Sequence, residues 1–170
     1  MQKKRRIVLI IIILVSFLLL IAFLLKINSL KLPTGDYVCF GLNNHIIRLI
    51  NGKPDEVIPY ENDTKFENYN KRIADKTIIA GFNYKKPFNR LNIVTYEFDS
   101  ADEQEVYQNI LDFYQKEYDN VVETTVDNEK YITINDTYKV GFYYDDYQGE
   151  KKVGIMIYKM HYSYWGEPLE

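Results

Sequence analysis

Cysteine is nearly absent, since Cys39 is the single one among 170 residues. No internal disulfide can form, so the chain is not one of the small secreted domains that disulfides hold together. A catalytic thiol needs an activated thiolate and a base held beside it, here His45 or His161. Cys39 instead stands between Val38 and Phe40 in an apolar segment. We interpret it as a buried, inert thiol, with an interchain disulfide or a nucleophile as the alternatives.

Histidine and the fixed catalytic motifs are scarce as well. His45 and His161 are the only histidines, and no cysteines or carboxylates complete a zinc site at a recognisable spacing. The acidic stretch 145–150 lacks the EF-hand pattern, and we interpret it as a solvated hairpin end. Residues 27–170 contain no motif of nucleotide-binding proteins, serine hydrolases or zinc proteases. The sequence therefore predicts no metal, no cofactor and no enzymatic activity.

Charge is missing from residues 7–25, a run of 19 residues in which only Ser16 is weakly polar. As a helix this run would be about 28 Å long, close to the hydrocarbon thickness of a bilayer. Four cations lie in residues 1–6 and a single one, Lys26, follows the run. Because positive charge stays on the cytoplasmic side, we expect a cytoplasmic basic tail (1–6) and a transmembrane signal-anchor in membrane lipid (7–25). Everything after it should lie outside the plasma membrane of a single-pass protein.

A cleaved secretory signal peptide is the alternative for the same segment. Such a peptide has an apolar core of about 7–15 residues and a cleavage site of small residues. Leu25–Leu30 offers no such site, and no cysteine follows directly, as a lipoprotein would require. These features favour the uncleaved anchor.

The chain after residue 26 has fewer basic than acidic residues. Removing the five cations of residues 1–26 from the total of 21 leaves 16 against 24 acidic residues, a net charge of −8. A nucleic-acid partner requires a basic surface and is excluded. A cysteine-poor exterior domain suits a bacterial envelope better than an animal cell surface. In that setting the two glycosylation sequons, at Asn62 and Asn135, are chance matches.

Elements in the first half follow from spacing and turn residues. A linker spans 26–35, and the extracytoplasmic domain spans 36–162 before a C-terminal tail, 163–170. Apolar residues at 46, 47, 49 and 50 predict a helix, with Asn43 or Asn44 as its cap and Gly52 at its end. The other expected elements are a short strand over Asp36–Leu42, an edge strand over Glu56–Tyr60, a polar loop over Glu61–Lys76, and strands over Thr77–Tyr84 and Leu91–Phe98.

The second half repeats the order of a helix followed by strands. Ser100 and Glu103 have the spacing of a capping box, and an apolar face extends over about 18 residues after it. Four β-type segments follow: Val121–Val126, Tyr131–Asn135, Tyr138–Asp145 and Lys152–Tyr162. The expected fold class is α+β, with a mainly antiparallel sheet and two helices after the transmembrane helix, arranged as two half-modules.

The last hairpin can be placed in register from the sequence. A turn at Gln148-Gly149 pairs Tyr143 with Gly154 and Asp145 with Lys152. The same register pairs Val140 with Ile157 and Phe142 with Ile155 on the other face. One register thus gives an apolar face, an opposite-charge pair and an aromatic ring over a glycine.

The segment from Gly41-Leu42 through the helix at 45–50 to Gly52-Lys53-Pro54 resembles the opening of small bacterial envelope modules. These are the outer-membrane assembly lipoproteins of the SmpA/OmlA type and the β-lactamase-inhibitor-like domains, and the tandem order resembles the latter. The second half has Asp119-Asn120 where the glycine–proline motif would stand. The resemblance implies a protein-binding module at the cell envelope, and it carries no catalytic residue over.

Tyrosine is the most unusual content, with 16 residues, all after residue 26. Alternation puts several tyrosines and methionines on the face opposite Val140, Phe142 and Ile155. Such side chains are enriched at interfaces, and we predict that this face binds a partner, an envelope protein or alternatively a peptide or glycan ligand of a sensor domain. The alternatives are that the first half covers this face, or that the tyrosines reflect strand propensity. The candidate residues are Tyr131, Tyr143, Met156, Tyr158, Met160 and Tyr162.

Overall fold

A computed structural model describes residues 2–61, 64–73, 76–99, 102–126, 129–147 and 150–160. The chain divides into two units, Met1–Leu30 and Lys31–Glu170, which are described separately.

The first unit is dominated by one helix, α1 (Gln2–Ile27). Its 26 residues correspond to about 39 Å. Arg6–Leu24 has a mean hydropathy of 3.6, and none of its residues is buried. This segment is long and apolar enough to cross a membrane, a test that an N-terminal signal sequence would also pass. The predicted apolar helix is therefore confirmed.

The remaining elements are two helices and ten strands in the described residues. They are β1 (Leu30–Lys31), β2 (Tyr37–Val38), α2 (Asn44–Asn51), β3 (Glu56–Glu61), β4 (Thr64–Ile73), β5 (Lys76–Lys85), β6 (Arg90–Asp99), α3 (Glu103–Glu117), β7 (Val121–Val126), β8 (Glu129–Ile134), β9 (Tyr138–Tyr147) and β10 (Glu150–Lys159). β1 and β2 form a small two-stranded sheet.

The other eight strands form one sheet in the order β3-β4-β5-β6-β10-β9-β8-β7. Neighbouring strands are antiparallel throughout, and β6 pairs with β10 at the centre. Each half of the sheet is a four-stranded meander preceded by its own helix, α2 or α3. The α+β fold class and the repeated helix-then-strands order are confirmed.

The predicted β9–β10 register is also confirmed. Tyr143 pairs with Gly154, Asp145 with Lys152, and Phe142 with Ile155. The turn at 148–149 itself lies outside the described residues. Long alternation over ten residues on each strand fixes this register, because a slip by one residue would turn the apolar set outward.

The sheet has two unequal faces. The covered face carries the core side chains Ile132, Val140, Phe142, Val153, Ile155 and Ile157, all at most 7% exposed. The helix α3 packs on this face, where the rings of Tyr107 and Phe142 lie 4.9 Å apart. Residues 31–43 reach the same face, with the Phe40 ring 5.7 Å from that of Tyr138. We call the opposite side, which includes Tyr131, Tyr143, Met156 and Tyr158, the open face.

Both domain helices have identifiable caps. Asn43 caps α2 by accepting a hydrogen bond from the His45 N–H, and Gly52 follows its last turn, as predicted. α3 begins at Glu103, and Asp102 caps it by accepting from the Glu105 N–H. The predicted capping box is wrong, because Asp102 takes the place of Ser100 as the cap and Glu103 is the first residue of the helix.

The loop predicted over Glu61–Lys76 is wrong, because Thr64–Ile73 forms the ten-residue strand β4. This strand is polar on both faces, so it lacks the alternation that marks a half-buried strand. It is held by pairing with β3 on one side and with β5 on the other. The strand predicted over Asp36–Leu42 shortens to Tyr37–Val38, because the chain turns away at Gly41, whose φ is +86°.

Candidate binding surface

Neighbouring strands bring together four of the predicted site residues. Tyr143 comes from β9, Met156 and Tyr158 come from β10, and Tyr131 comes from β8. All four side chains are partly buried and lie on the open face. The first half does not cover this face, because its strands β3–β6 continue the same sheet on the other side of β10.

One continuous row of paired residues crosses the whole open face. Two glycines, Gly81 and Gly141, occupy matching positions in the two halves of this row. Each is the partner of a residue on the central strands, Thr95 on β6 and Met156 on β10. The row reads Glu56, Asn68, Gly81, Thr95, Met156, Gly141, Tyr131 and Thr124.

Two tyrosine rings lie against glycines of the sheet. A Cβ atom on Gly154 would collide with the Tyr143 ring, so the ring covers the backbone of β10. A Cβ atom on Gly141 would stand 3.3 Å from the Cε1 atom of Tyr131. The glycines let both rings lie close to the backbone of the sheet.

Charged groups surround the tyrosines at the β8 side. The Tyr131 hydroxyl donates a hydrogen bond to Glu129, and the Nζ atom of Lys139 lies 3.9 Å from the Tyr131 ring centre. Lys139 is the strand partner of Tyr158. Burial, and then the charge of Glu129, raise the pKa of Tyr158. This part of the open face therefore combines aromatic rings with charged groups of both signs.

The two remaining predicted residues are placed differently. Met160 directly follows β10, and its backbone N–H donates to the carbonyl of Thr137 at 2.7 Å. The strand predicted to continue to Tyr162 thus ends at Lys159. Tyr162 lies outside the described residues, as does the predicted tail 163–170.

A buried charged cluster on β4 was not predicted from the sequence. The Glu67 side chain is fully buried and accepts hydrogen bonds from Arg48 at 2.7 and 3.0 Å, from Lys65 at 2.7 Å and from Asn44 at 3.0 Å. Burial, the largest influence, raises the pKa of Glu67, but these hydrogen bonds together outweigh it, so the pKa is lowered. The cluster ties α2 to the sheet, and both carboxylate oxygens of Glu67 accept hydrogen bonds within the fold, whereas the Oδ1 atom of Asn44 is buried without a hydrogen-bond partner. We interpret it as structural.

The cysteine and histidines do not form a site in the described part of the chain. Cys39 is partly buried, and burial raises the pKa of its thiol, which disfavours a reactive thiolate. His45 is exposed on α2, and His161 lies outside the described residues. Among the residues that the structure describes, no three side chains of His, Cys, Asp or Glu gather as metal ligands.

Two concavities are found away from the open face. One, of about 290 Å³, lies at the turn between β5 and β6, and the other, of about 330 Å³, lies between α3 and the ends of β4–β6. None of the predicted site residues lines either of them. The candidate surface is therefore separate from both of these concavities.

Comparisons with known proteins add little. No protein-family model matches this chain, and no curated protein matches it. One solved structure, an extracellular protein containing an SCP domain from Bacillus anthracis str. Ames, is 11% identical with a TM-score of 0.35. The match covers 70% of this chain and 43% of that protein. A likeness of this degree carries no argument about fold or function.

Proposed function

We propose that this chain is a membrane-anchored, non-enzymatic module that binds an envelope protein outside the bacterial plasma membrane. The helix α1 is the single-pass anchor, with the N-terminus in the cytoplasm. The four cations before the apolar run and the one after it support this orientation. An exterior domain with a net charge of −8 is then held close to the membrane by a short linker.

The observation that carries the binding role is the asymmetry of the sheet. Side chains of α2, α3 and residues 31–43 make contacts on the covered face, for example Arg48 with Glu67 and Tyr107 with Phe142. The open face keeps aromatic and thioether side chains partly exposed on adjacent strands. Tyrosine supplies a large contact area with a polar tip, and methionine adapts its shape to a partner. An enzyme would instead require convergent polar groups in a concavity.

A sensor domain that captures a glycan or peptide is the second candidate. The observation that favours it is the way Tyr131 and Tyr143 lie against Gly141 and Gly154. Flat rings held on a rigid sheet offer the kind of platform on which an extended ligand can lie. This candidate uses the same face but a different class of ligand.

Site-specific photo-cross-linking in the source cell tests the proposal. A photoreactive phenylalanine analogue replaces Tyr143 or Tyr158 in the full chain. The matched control replaces Tyr144, the next residue on the same strand, which lies on the covered face and is 53% exposed. After irradiation, cross-linked products are isolated through a tag on the N-terminus and identified by mass spectrometry.

We expect products that join positions 143 and 158 to the same extracytoplasmic protein and that are missing at position 144. Equal products from position 144, or none from 143 and 158, would contradict the proposal. Products with polysaccharide or short peptides instead of a protein would favour the sensor. A Tyr143→Ser/Tyr158→Ser chain that retains its urea unfolding midpoint should lose binding to the identified protein.

A further inference from the structure

We propose that the outer edge of β7 pairs with the same edge of a second copy of this chain, so that two copies form one continuous antiparallel sheet. β7 (Val121–Val126) is the last strand of the eight-stranded sheet, and among the described residues it pairs with β8 alone. An edge strand presents a row of N–H and C=O groups that a further strand can satisfy. This inference does not depend on the binding role proposed for the open face.

The two outer strands of the sheet differ in how they are protected against further pairing. At one edge, β3 contains Pro59, which has no backbone N–H to donate, and its pairing with β4 shifts register between Ile58 and Glu61. Proline and irregular pairing are two devices that keep an edge from adding strands. β7 has no proline and no lysine, and its pairing with β8 is unbroken along its length. β7 is therefore the edge that is open to a further strand.

Most side chains of β7 are exposed. Val122 and Val126 are 46% and 50% exposed, and they share the open face with Thr124 because alternate residues of a strand lie on one face. On the covered face, Glu123 accepts a hydrogen bond from the Tyr107 hydroxyl. The strand thus leaves two apolar side chains in water, which a neighbouring strand would cover.

Pairing of β7 with its own copy is restricted to few registers. Paired residues lie on the same face of a sheet, so an even-numbered residue pairs with an even-numbered one. Two such registers use most of the strand: one is centred on residue 123 and pairs 121–125, and the other is centred on residue 124 and pairs 122–126. The first places Glu123 directly opposite Glu123 of the second copy. Like charges in this position are destabilising, which disfavours that register.

The register centred on residue 124 is self-complementary. It places Val122 opposite Val126 of the second copy, and symmetry repeats this pair at the other end. Glu123 then lies opposite Thr125, and Thr124 lies opposite itself. No like charges face each other, and the exposed valines cover one another. A twofold dimer requires a patch that is its own complement, so the second copy is the occupant that this edge fits.

This pairing would also join the open faces of the two copies. The row of paired residues that crosses the open face ends at Thr124. In the paired sheet the row continues into Thr124 of the second copy, because residues that pair lie on the same face. The open faces of both copies would then form one surface on the same side of the sheet.

Disulfide trapping tests the register in the full chain. Cys39→Ser removes the native cysteine, and Thr124→Cys or Thr125→Cys then introduces a single one. The two threonines are exposed neighbours on β7, which makes the variants a matched pair. In the proposed register the two copies of residue 124 lie directly opposite, with their Cα atoms about 5 Å apart and within disulfide range. The two copies of residue 125 lie on a diagonal of about 7–8 Å, beyond that range.

The chains are placed in liposomes, where anchoring by α1 concentrates them in one membrane. A single strand pair buries less surface than a stable soluble dimer needs. With a mild oxidant, Thr124→Cys should form a covalent dimer, and Thr125→Cys should stay monomeric over the same period. Dimers at residue 125 alone, or at both positions equally, would overturn the proposed register. No dimer at either position would refute the pairing.

Charge substitutions on the exposed valines give a second test that needs no cysteine on β7. Val122→Lys/Val126→Lys places like charges opposite each other in the paired sheet, whereas Val122→Glu/Val126→Lys places opposite charges there. Association is measured by energy transfer between donor-labelled and acceptor-labelled chains that carry the label at the N-terminus. Urea unfolding midpoints show that both variants are folded.

We expect the like-charge variant to lose the energy transfer of the unsubstituted chain and the opposite-charge variant to retain it. Retention of transfer by the like-charge variant would place the association elsewhere, for example in α1, and would overturn the proposal. Loss of transfer in both folded variants would contradict the register. Neither result bears on the cross-links expected at positions 143 and 158, so the pairing and the binding role can fail separately.

Discussion

The ring of Tyr143 lies directly over Gly154, its strand partner, so closely that no side chain fits at residue 154. This pair stands on the open face beside the central β6–β10 seam. It both fills a gap in the sheet and sets the position of an aromatic ring proposed to meet a partner. Stability and binding are therefore linked at this one contact.

Gly154→Ala should destabilise the domain by about 1–3 kcal/mol, because the new methyl group displaces the Tyr143 ring. Urea unfolding of the full chain in detergent micelles measures the change. In a Tyr143→Ala background the same substitution should cost little, since nothing then lies over residue 154. A double-mutant cycle with no coupling between the two positions would show that the ring does not lie over the glycine in solution.

Glu67→Gln should destabilise the domain by about 2–4 kcal/mol, because Arg48 and Lys65 would then lack their compensating charge in a buried place. The matched control is Glu105→Gln, which breaks the exposed pair with Lys76 and should cost less than about 1 kcal/mol. Urea midpoints of both variants decide the comparison. A cost for Glu67→Gln no greater than the control would mean that the buried cluster contributes little.

The lowered pKa of Glu67 predicts that the stability of the domain depends on pH. The pKa of this glutamate is lower in the folded state than the value of about 4.3 in an unfolded chain. Its contribution is therefore fully present above about pH 4.3 and is lost as the pH falls through the folded-state value. The wild-type free energy of unfolding should fall in that range more steeply than that of Glu67→Gln. Parallel curves for the two chains would contradict this assignment.

Tyrosine titration predicts the behaviour at high pH. Burial, and then the nearby Cys39, raise the pKa of Tyr138 to about 12, and burial raises the pKa of Tyr84, Tyr96 and Tyr114 further. These groups stabilise the fold below the unfolded value of about 10, and this stability is lost as the pH rises through the folded value. Absorbance of tyrosinate should show that these buried tyrosines ionise only together with unfolding. Tyr138→Phe should shift the alkaline unfolding midpoint upward, whereas Tyr37→Phe, at a side chain 48% exposed, should not.

Membrane orientation can be measured with the cysteine-free chain Cys39→Ser. A cysteine is introduced either as Lys53→Cys, in the exposed segment after α2, or as Gln2→Cys in the basic tail. A membrane-impermeant maleimide should label residue 53 in intact cells and residue 2 only after permeabilisation. The reverse labelling would contradict the proposed orientation. A mature mass without residues 1–26 would identify a cleaved signal in place of the anchor.

The alternation of residues in the sequence was sufficient to predict strand pairing where one face of each strand is apolar. The β9–β10 register followed from alternation, with Phe142 opposite Ile155 and Tyr143 opposite Gly154. The strand β4 could not be predicted in this way, because on its covered face the buried Tyr69 is flanked by the charged Lys65, Glu67 and Lys71. Those charges are satisfied by partners far away in the sequence, such as Arg48 for Glu67 and Asp36 for Lys71.

The candidate site was predictable only in part for a related reason. Alternation placed Tyr143, Met156 and Tyr158 on one face, but it could not reveal the row that joins Met156 to Gly81 and Thr95 in the first half. That row depends on β6 lying next to β10, a contact between strands more than 50 residues apart in the chain.

The antiparallel pairing of β6 with β10 forms the centre of the sheet. If either half were separated, the same strand edge could pair with the corresponding strand of a second copy. Each half supplies a helix and a complete four-stranded meander. The last strand of each meander, β6 or β10, lies at the seam, and its edge would require a partner if the halves were separated. The two halves thus share one order of elements and meet along a single antiparallel seam. A chain cut between β6 and α3 keeps every pairing partner of the sheet, so its two fragments should reassemble, and the first fragment alone should associate with itself through β6.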